Sequence, residues 1–285
     1  MSCQNSSDDV KLPEFGKMLQ SDIELISGDI VVVKIGGSTL GNHDTTLEDV
    51  VQLKSNGINP VVIHGGGKVV SDWMHLQGVQ PKFVRGLRVT DKSSLDIVTA
   101  VLSGLVNKSI VASIFKMGGK SVGLSGVDGG MLLSEVSDPE LGHVGGTVEV
   151  NTLPINMVID AGFIPVIATV SLENVNSSLY SYGILNVNAD TVAGEIAVAL
   201  KAKHLVFTTD VDGVMDSSRR LIPRILQSQA SGLIRSSVID GGMLPKIEAC
   251  IRSISQVTTA HIINGTKPHS LIDVLSGKIL GTRVG

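Results

Sequence analysis

Val31-Val32-Val33-Lys34-Ile35-Gly36-Gly37-Ser38 decides how the chain is read. Four β-branched apolar residues enclose one lysine, and two glycines and a serine follow. A run that is apolar at both parities fits a strand buried on both faces of a parallel sheet. A lysine near its end is costly to bury alone, so it is expected at the carboxyl edge, in contact with an anion. The glycines let backbone N–H groups approach that anion closely. The same residues admit a plainer reading, a snorkelling lysine before a Gly-Gly turn. The stretch alone does not choose between the two.

A second run of this kind, Asn59 to His64, ends in Gly65-Gly66-Gly67-Lys68. Helices are expected at about 46–56, closed by Asn56-Gly57, and at about 67–77, ended by Gly78. Gln80 to Thr90 reads as a polar loop. Asp91 is the expected N-cap of a long helix reaching about Met117, with Leu95, Val98, Leu102, Leu105, Val106, Ile110 and Ile114 on its inner side. Ser121–Ser125 is a short strand, residues 129–150 suggest hairpins, and a helix from about 153 ends at Gly162. Ile164–Ala168 is a strand, 171–183 a polar loop, Ile184–Val187 a strand, and about 190–201 a helix. His204–Thr209 is a strand. Helices near 225–235 and 243–254, a strand at Ala260–Ile263 and a helix at about 268–276 complete the pattern. Strands alternating with helices predict a largely parallel α/β sheet. Glycine clusters at successive strand ends then share the carboxyl edge, where such sheets bind ligands.

At 285 residues the chain suits two domains or one large α/β unit. Hydrophobic residues make up 42% and aromatics only 3%, so Val, Ile, Leu and Ala must build the core. The formal net charge is −4 and no run of Lys and Arg exists, which argues against a nucleic-acid partner. Cys3 and Cys250 lie far apart and read as reduced thiols. The first 25 residues lack the apolar core of a signal peptide. Ala161–Val170 is far short of the ~20 residues of a membrane span. A cytoplasmic protein with no membrane partner is the expectation. Residues 1–12 are expected to be disordered, and 13–27 carry a weak helical pattern that suits docking on the body or on another subunit.

Gly118-Gly119-Lys120-Ser121 resembles a P-loop fragment, but Ile114 stands where its first glycine is required. Gly119-Lys120-Ser121-Val122-Gly123 matches G-x-S-x-G in the wrong context, since a helix precedes and a strand follows. The seven histidines show no paired metal spacing. What remains is a set of glycine-rich strand ends with Lys34 and Lys246 nearby, suited to polyphosphate.

Lys34-Ile35-Gly36-Gly37, His64-Gly65-Gly66-Gly67, Gly86-Leu87-Arg88-Val89-Thr90, Gly123-Leu124-Ser125-Gly126, Asn186-Val187-Asn188-Ala189-Asp190, Thr209-Asp210-Val211-Asp212-Gly213 and Gly241-Gly242-Met243-Leu244-Pro245-Lys246 occur in this order. Each motif is short; the ordered set, over about residues 29–285, resembles the amino acid kinase family, in particular its kinases of N-acetylglutamate. The resemblance implies a three-layer αβα sandwich with a mostly parallel central sheet. After an extension at 1–28, it implies an amino-acid-binding and dimerising lobe at 29–195 and an ATP lobe at 196–285. The implied reaction is transfer of the γ-phosphoryl group of ATP, with Mg²⁺, to the γ-carboxylate of N-acetyl-L-glutamate. That carboxylate is ionised at neutral pH, so no general base is required.

By the same resemblance, Lys34 and Lys246 flank the transferring group and Asp190 orients both. The other reading of Asp190 is an N-cap. Gly66, Gly67, Arg88 and Asn186 bind the amino acid. Gly36, Gly37, Asp210, Gly213, Gly241, Gly242 and Met243 bind the phosphates or nucleotide. Mg²⁺ is left to phosphate oxygens and water, with no protein ligand.

Arginine-inhibited members carry a C-terminal signature resembling H-x-x-D-G-R, then E-x-F. Here Asn264 and Thr266 replace its Asp and Arg, and the E-x-F position is missing, which favours a homodimer without arginine feedback. A kinase of N-acetyl-aminoadipate is the nearest rival, against which Gly86-Leu87-Arg88-Val89-Thr90-Asp91 favours acetylglutamate. A silent amino-acid-binding regulator is the other, against which Lys34, Asp190 and Lys246 stand together.

Overall fold

The computed structural model describes residues 25–36, 45–174 and 183–285. The expected N-terminal helix falls largely outside them, and residues 25–27 are not helical. Fourteen strands are described: β1 (Ile30–Ile35), β2 (Asn59–His64), β3 (Phe83–Val84), β4 (Leu87–Arg88), β5 (Ser121–Ser125), β6 (Leu132–Val136), β7 (Val144–Val150), β8 (Ile164–Ala168), β9 (Val170–Glu173), β10 (Ile184–Val187), β11 (His204–Thr209), β12 (Arg224–Ile225), β13 (Thr259–Asn264) and β14 (Thr282–Val284). The α-helices are α1 (Thr46–Ser55), α2 (Gly67–Leu76), α3 (Lys92–Lys116), α4 (Leu153–Asp160), α5 (Ala189–Ala199), α6 (Gln227–Arg235), α7 (Leu244–Ser253) and α8 (Ser270–Leu275).

Eight strands form the central sheet in the order β12-β14-β13-β11-β1-β2-β8-β5. From β13 to β5 every pairing is parallel, and β14 turns antiparallel to β13. The alternation of β1 assigns its residues to two cores. Val32 packs with Ile196, Ile247 and Phe207 on one face, and Val31, Val33 and Ile35 pack with Val50, Val70 and Val98 on the other. Helices α5 and α7 cover the first face, and α1, α2, α3 and α8 the second. This is the expected αβα sandwich. β1 lies between β11 and β2, where the strand order reverses, so the crevice at its carboxyl end is the topological switch point.

Three local readings are corrected. The loop expected over 171–183 begins with strand β9, which closes a small barrel with β10, β7 and β6. The polar loop before Asp91 contains the β3–β4 hairpin. Strand β14, between β12 and β13, went unassigned in the sequence, being three residues long and dependent on distant partners. Asp91 does cap α3, accepting the Ser94 N–H at 2.8 Å. The expected uniform helix widens, however, into a π segment over Ala100–Val106. α3 is long and apolar enough, by length and composition, to cross a bilayer. Its Leu95, Val98, Leu102, Val106, Ile110 and Ile114 are buried within the protein, as in a core helix, whereas Leu105, expected with them on the inner side, is exposed within the π segment.

Gly281 adopts a φ of +68°, and a Cβ there would collide with the Ile262 carbonyl. Gly281→Ala is therefore expected to cost about 2 kcal/mol or more in urea unfolding. Gly232 lies inside α6 with open space around it, so Gly232→Ala should instead stabilise by about 0.5–1 kcal/mol. Equal stability of the two variants would contradict this assignment.

Candidate active site

Lys34 shares the face of β1 occupied by Val32, because side chains alternate along a strand. That face meets the N-terminus of α5. The Asn188 side chain caps this helix, accepting the N–H groups of Asp190 at 2.8 Å and Thr191 at 3.2 Å. Asp190 is thus not the cap. It sits in the first turn with its carboxylate turned to the sheet edge, where negative charge is favoured. Lys34 Nζ lies 2.8 Å from Asp190 Oδ1, and Lys246 Nζ lies 3.0 Å from Oδ2. Lys246 comes from the first turn of α7, after the 3₁₀ turn Gly241–Met243, and also donates to the Gly242 carbonyl at 3.0 Å.

Asp190 is 5% exposed and Lys34 7%, so the three charges form a buried group with a net charge of +1. Burial pushes the Asp190 carboxyl up, but the charges and hydrogen bonds of Lys34 and Lys246 outweigh it and hold it below the usual carboxylate range.

Two cavities meet at this group. One, of about 210 Å³, is lined by Gly65, Gly66, Gly67, Arg88, Asn186 and Asp190, with Val98 and Leu102 from the π-containing helix. The other, of about 280 Å³, is lined by Gly36, Lys68, Thr208, Thr209, Asp210 and Lys246. Lys34 and Gly67 line both. A Cβ at Gly66 would stand 2.6 Å from Leu102 Cδ2, so a side chain there would displace Leu102. The first N–H groups of α2 follow Gly66 and have no partner within their own helix.

Arg88 Nη2 donates to the Gly67 carbonyl and to Ser71 Oγ, both at 2.9 Å, and its guanidinium lies 4.7 Å from the centre of the Phe83 ring. Among the described residues no carboxylate pairs with it. Burial lowers its pKa, yet a guanidinium remains charged at neutral pH. This arrangement suits a ligand carboxylate. Asn186 Nδ2 donates to Thr90 Oγ1 at 3.1 Å, which fixes its amide on the cavity wall.

The structure therefore brings together Lys34, Lys246, Asp190, Gly66, Gly67, Arg88, Asn186, Gly36 and Asp210. Gly213, Gly241, Gly242 and Met243 line neither cavity. Gly213 takes a φ of +137° against Thr282 and Leu221, and the other three shape the entry to α7. Gly37 lies outside the described residues. Asn188, Lys68, Thr208 and Thr209 were not among the sequence candidates. The Asn-x-Asp spacing at a helix start was a readable signal for Asn188; the two threonines carry no local signature.

Residues 29–264 match the amino acid kinase family. The chain belongs to that family. Acetylglutamate kinase of Dehalococcoides mccartyi strain CBDB1 is 44% identical over 258 residues, covering 90% of this chain and 95% of the relative. Acetylglutamate kinase of Caldanaerobacter subterraneus subsp. tengcongensis is 44% identical over 273 residues, covering 92% and 89%. Among solved structures, smu.665 of Streptococcus mutans UA159 superposes with a TM-score of 0.75 at 26% identity, covering 90% of this chain and 98% of that one.

Asp190→Asn should leave two ammonium groups without a counter-charge and lower the melting temperature. The Asp190 pKa is depressed in the folded state, so its stabilisation is complete above the usual value of 3.8 and is lost as pH falls through the lower folded value. Calorimetry across pH should show the gap between wild type and Asp190→Asn undiminished above pH 3.8 and closing below it. A gap that closed well above that value would contradict the ion pairs.

Proposed function

We propose that the chain phosphorylates the γ-carboxylate of N-acetyl-L-glutamate with ATP, giving N-acetyl-L-glutamyl 5-phosphate, the second step of arginine biosynthesis. One observation carries this reading: Lys34 lines both cavities, and Asp190 holds Lys246 beside it. The amino acid occupies the cavity of Arg88 and Asn186, with its α-carboxylate on the Arg88 fork. The triphosphate occupies the cavity of Gly36, Lys68 and Asp210. The first cavity is lined from the proposed lobe 29–195 alone, and the second lies between it and the proposed lobe 196–285, taking Gly36 and Lys68 from one and Thr208, Asp210 and Lys246 from the other. A substrate carboxylate oxygen forms the new bond to the γ-phosphorus, and the bond to the β-bridging oxygen breaks with its electron pair leaving on ADP. An anion must here approach a polyanion. The two lysines and the backbone donors around Gly66 and Gly67 offset that repulsion and hold the groups in line. Both Asp190 oxygens are committed to lysines, so Mg²⁺ arriving with ATP is held by phosphate oxygens and water.

The proposal includes a homodimer acting in the cytoplasm. Phe115 is 75% exposed at the end of α3, and Leu153 and Met157 of α4 are 62% and 63% exposed. β5 is the edge strand of the central sheet, and these exposed apolar side chains on helices to either face of it are ones that a second copy would cover. Sedimentation should give twice the chain mass, and a monomer at micromolar concentration would refute the dimer.

A hydroxamate assay with ATP, Mg²⁺ and a panel of acyl amino acids tests the activity. N-acetyl-L-glutamate should be preferred over N-acetyl-aminoadipate, and no product from either would leave only a binding role. Lys246→Ala should lower kcat by about 10²-fold or more with an unchanged circular dichroism spectrum. Arg88→Lys should raise the KM for the amino acid by roughly tenfold and spare kcat, because the bidentate fork is lost. An unchanged KM would remove Arg88 from the binding role.

A further inference from the structure

β2 ends in His64, whose side chain is fully buried and takes no part in the Lys34–Asp190–Lys246 group. Its Nε2 lies 3.1 Å from Asn107 Nδ2. The carbonyls of Leu124 at 3.1 Å and Val166 at 2.9 Å also face that nitrogen, so its two hydrogens are shared among three acceptors. Asn107 Oδ1 accepts from Lys108 Nζ at 3.0 Å. A flipped Asn107 amide would set its oxygen against two carbonyls and its nitrogen against an ammonium. The orientation is thereby fixed: Asn107 donates and His64 Nε2 accepts. The ring proton of the neutral imidazole is then on Nδ1, which donates to the Gly65 carbonyl at 3.1 Å. Burial pushes the His64 pKa down to about 4, so the neutral form holds at physiological pH. The Gly65 N–H is tied to the Ile35 carbonyl at 3.3 Å, so the residue is pinned at both of its backbone polar groups.

Among the described residues no peptide is cis. In a trans peptide the C=O and the following N–H point to opposite sides of the chain. We propose that His64 is a positioning residue: by holding the Gly65 carbonyl it aims the Gly66 N–H into the cleft beside Lys34, as a donor to the transferring phosphoryl group or the reacting carboxylate. This rests on the kinase reading above. His64 touches neither substrate, and its effect passes through one peptide plane.

Two variants separate this role from that of an ordinary core histidine. Asn at 64 can place its amide nitrogen near the position of Nδ1 and keep the bond to Gly65. Gln at 64 can place its amide oxygen near Nε2 and keep the bond to Asn107 while losing the donor to Gly65. His64→Asn should retain kcat within about threefold of wild type, whereas His64→Gln should lose roughly 10²-fold in kcat with the KM for ATP little changed. The loss should persist even where His64→Gln melts at or above His64→Asn. Equal kcat values in the two folded variants, or activities that simply follow the melting temperatures, would overturn the proposal. A second measurement needs no variant: ¹⁵N spectra of histidine-labelled wild type, with the ring assigned through the backbone of residue 64, should show the Nδ1–H tautomer between about pH 6 and 8. An Nε2–H tautomer would overturn the proposal whatever the variants do. Wild type that forms no acyl-hydroxamate would instead count against the kinase reading alone, since the tautomer spectrum still decides the hydrogen bond.

Discussion

The buried carboxylate of Asp190, held between Lys34 and Lys246, is the constraint on which the rest of the site depends. Each of these charges would be costly in the interior by itself, and pairing offsets the cost only when the geometry is good. Here each carboxylate oxygen faces one ammonium, at 2.8 and 3.0 Å. The group joins the central strand β1 to the first turns of α5 and α7, fixing two helices against one strand end. Two ammonium groups on one carboxylate leave the group with an excess of one positive charge, which suits an arriving anion. A stability-only core would replace such a group with apolar residues at little loss. Its presence at a cleft is better explained by function.

The fold supplies the conditions for that group at low cost. Alternation along β1 sends Val31, Val33 and Ile35 to one core and leaves Lys34 facing α5. Parallel pairing places the ends of β2, β8 and β11 at the same edge. Reversal of strand order at β1 opens a crevice there without any strand having to break. Glycine at position 66 then lets backbone donors come to the charge: the chain passes so close to Leu102 that a Cβ would displace it. The π segment of α3 carries Leu102 to this contact, in keeping with the occurrence of π segments near functional sites.

Much of this was legible because buried parallel strands announce themselves as continuous apolar runs. β2, β8 and β11 are such runs, and they, like the less apolar β5 and the barrel strand β10, begin and end where the sequence reading places them. The misses share a cause. β3, β4, β9 and β14 are two to four residues long and owe their conformation to partners rather than to their own pattern, so no periodicity marks them. The π widening of α3 leaves the spacing of apolar residues almost unchanged and is invisible to a helical count. At the site, Lys34 alone was ambiguous between a snorkelling side chain and an anion contact. Asp190 and Lys246, 56 residues apart, resolve it only when the fold sets them together. Gly213 and Met243, read as nucleotide contacts from their motifs, stand outside the two described cavities, in the turns they build.

The division of labour among the cations follows from the charges of the proposed substrates. N-acetyl-L-glutamate carries two carboxylates, and only one of them reacts. The unreactive one needs a partner whose charge and direction do not change during the reaction. Arg88 fits that need: it is half-buried, braced by Gly67 and Ser71 and backed by the Phe83 ring, and its planar fork matches a carboxylate. The reacting end needs charge that can follow a phosphoryl group moving between two oxygens. Compact ammonium groups on flexible stems suit that better than a rigid fork, provided something keeps them from being drawn wholly to one side. Asp190 supplies that restraint by holding both lysines at once, one from each side of the junction.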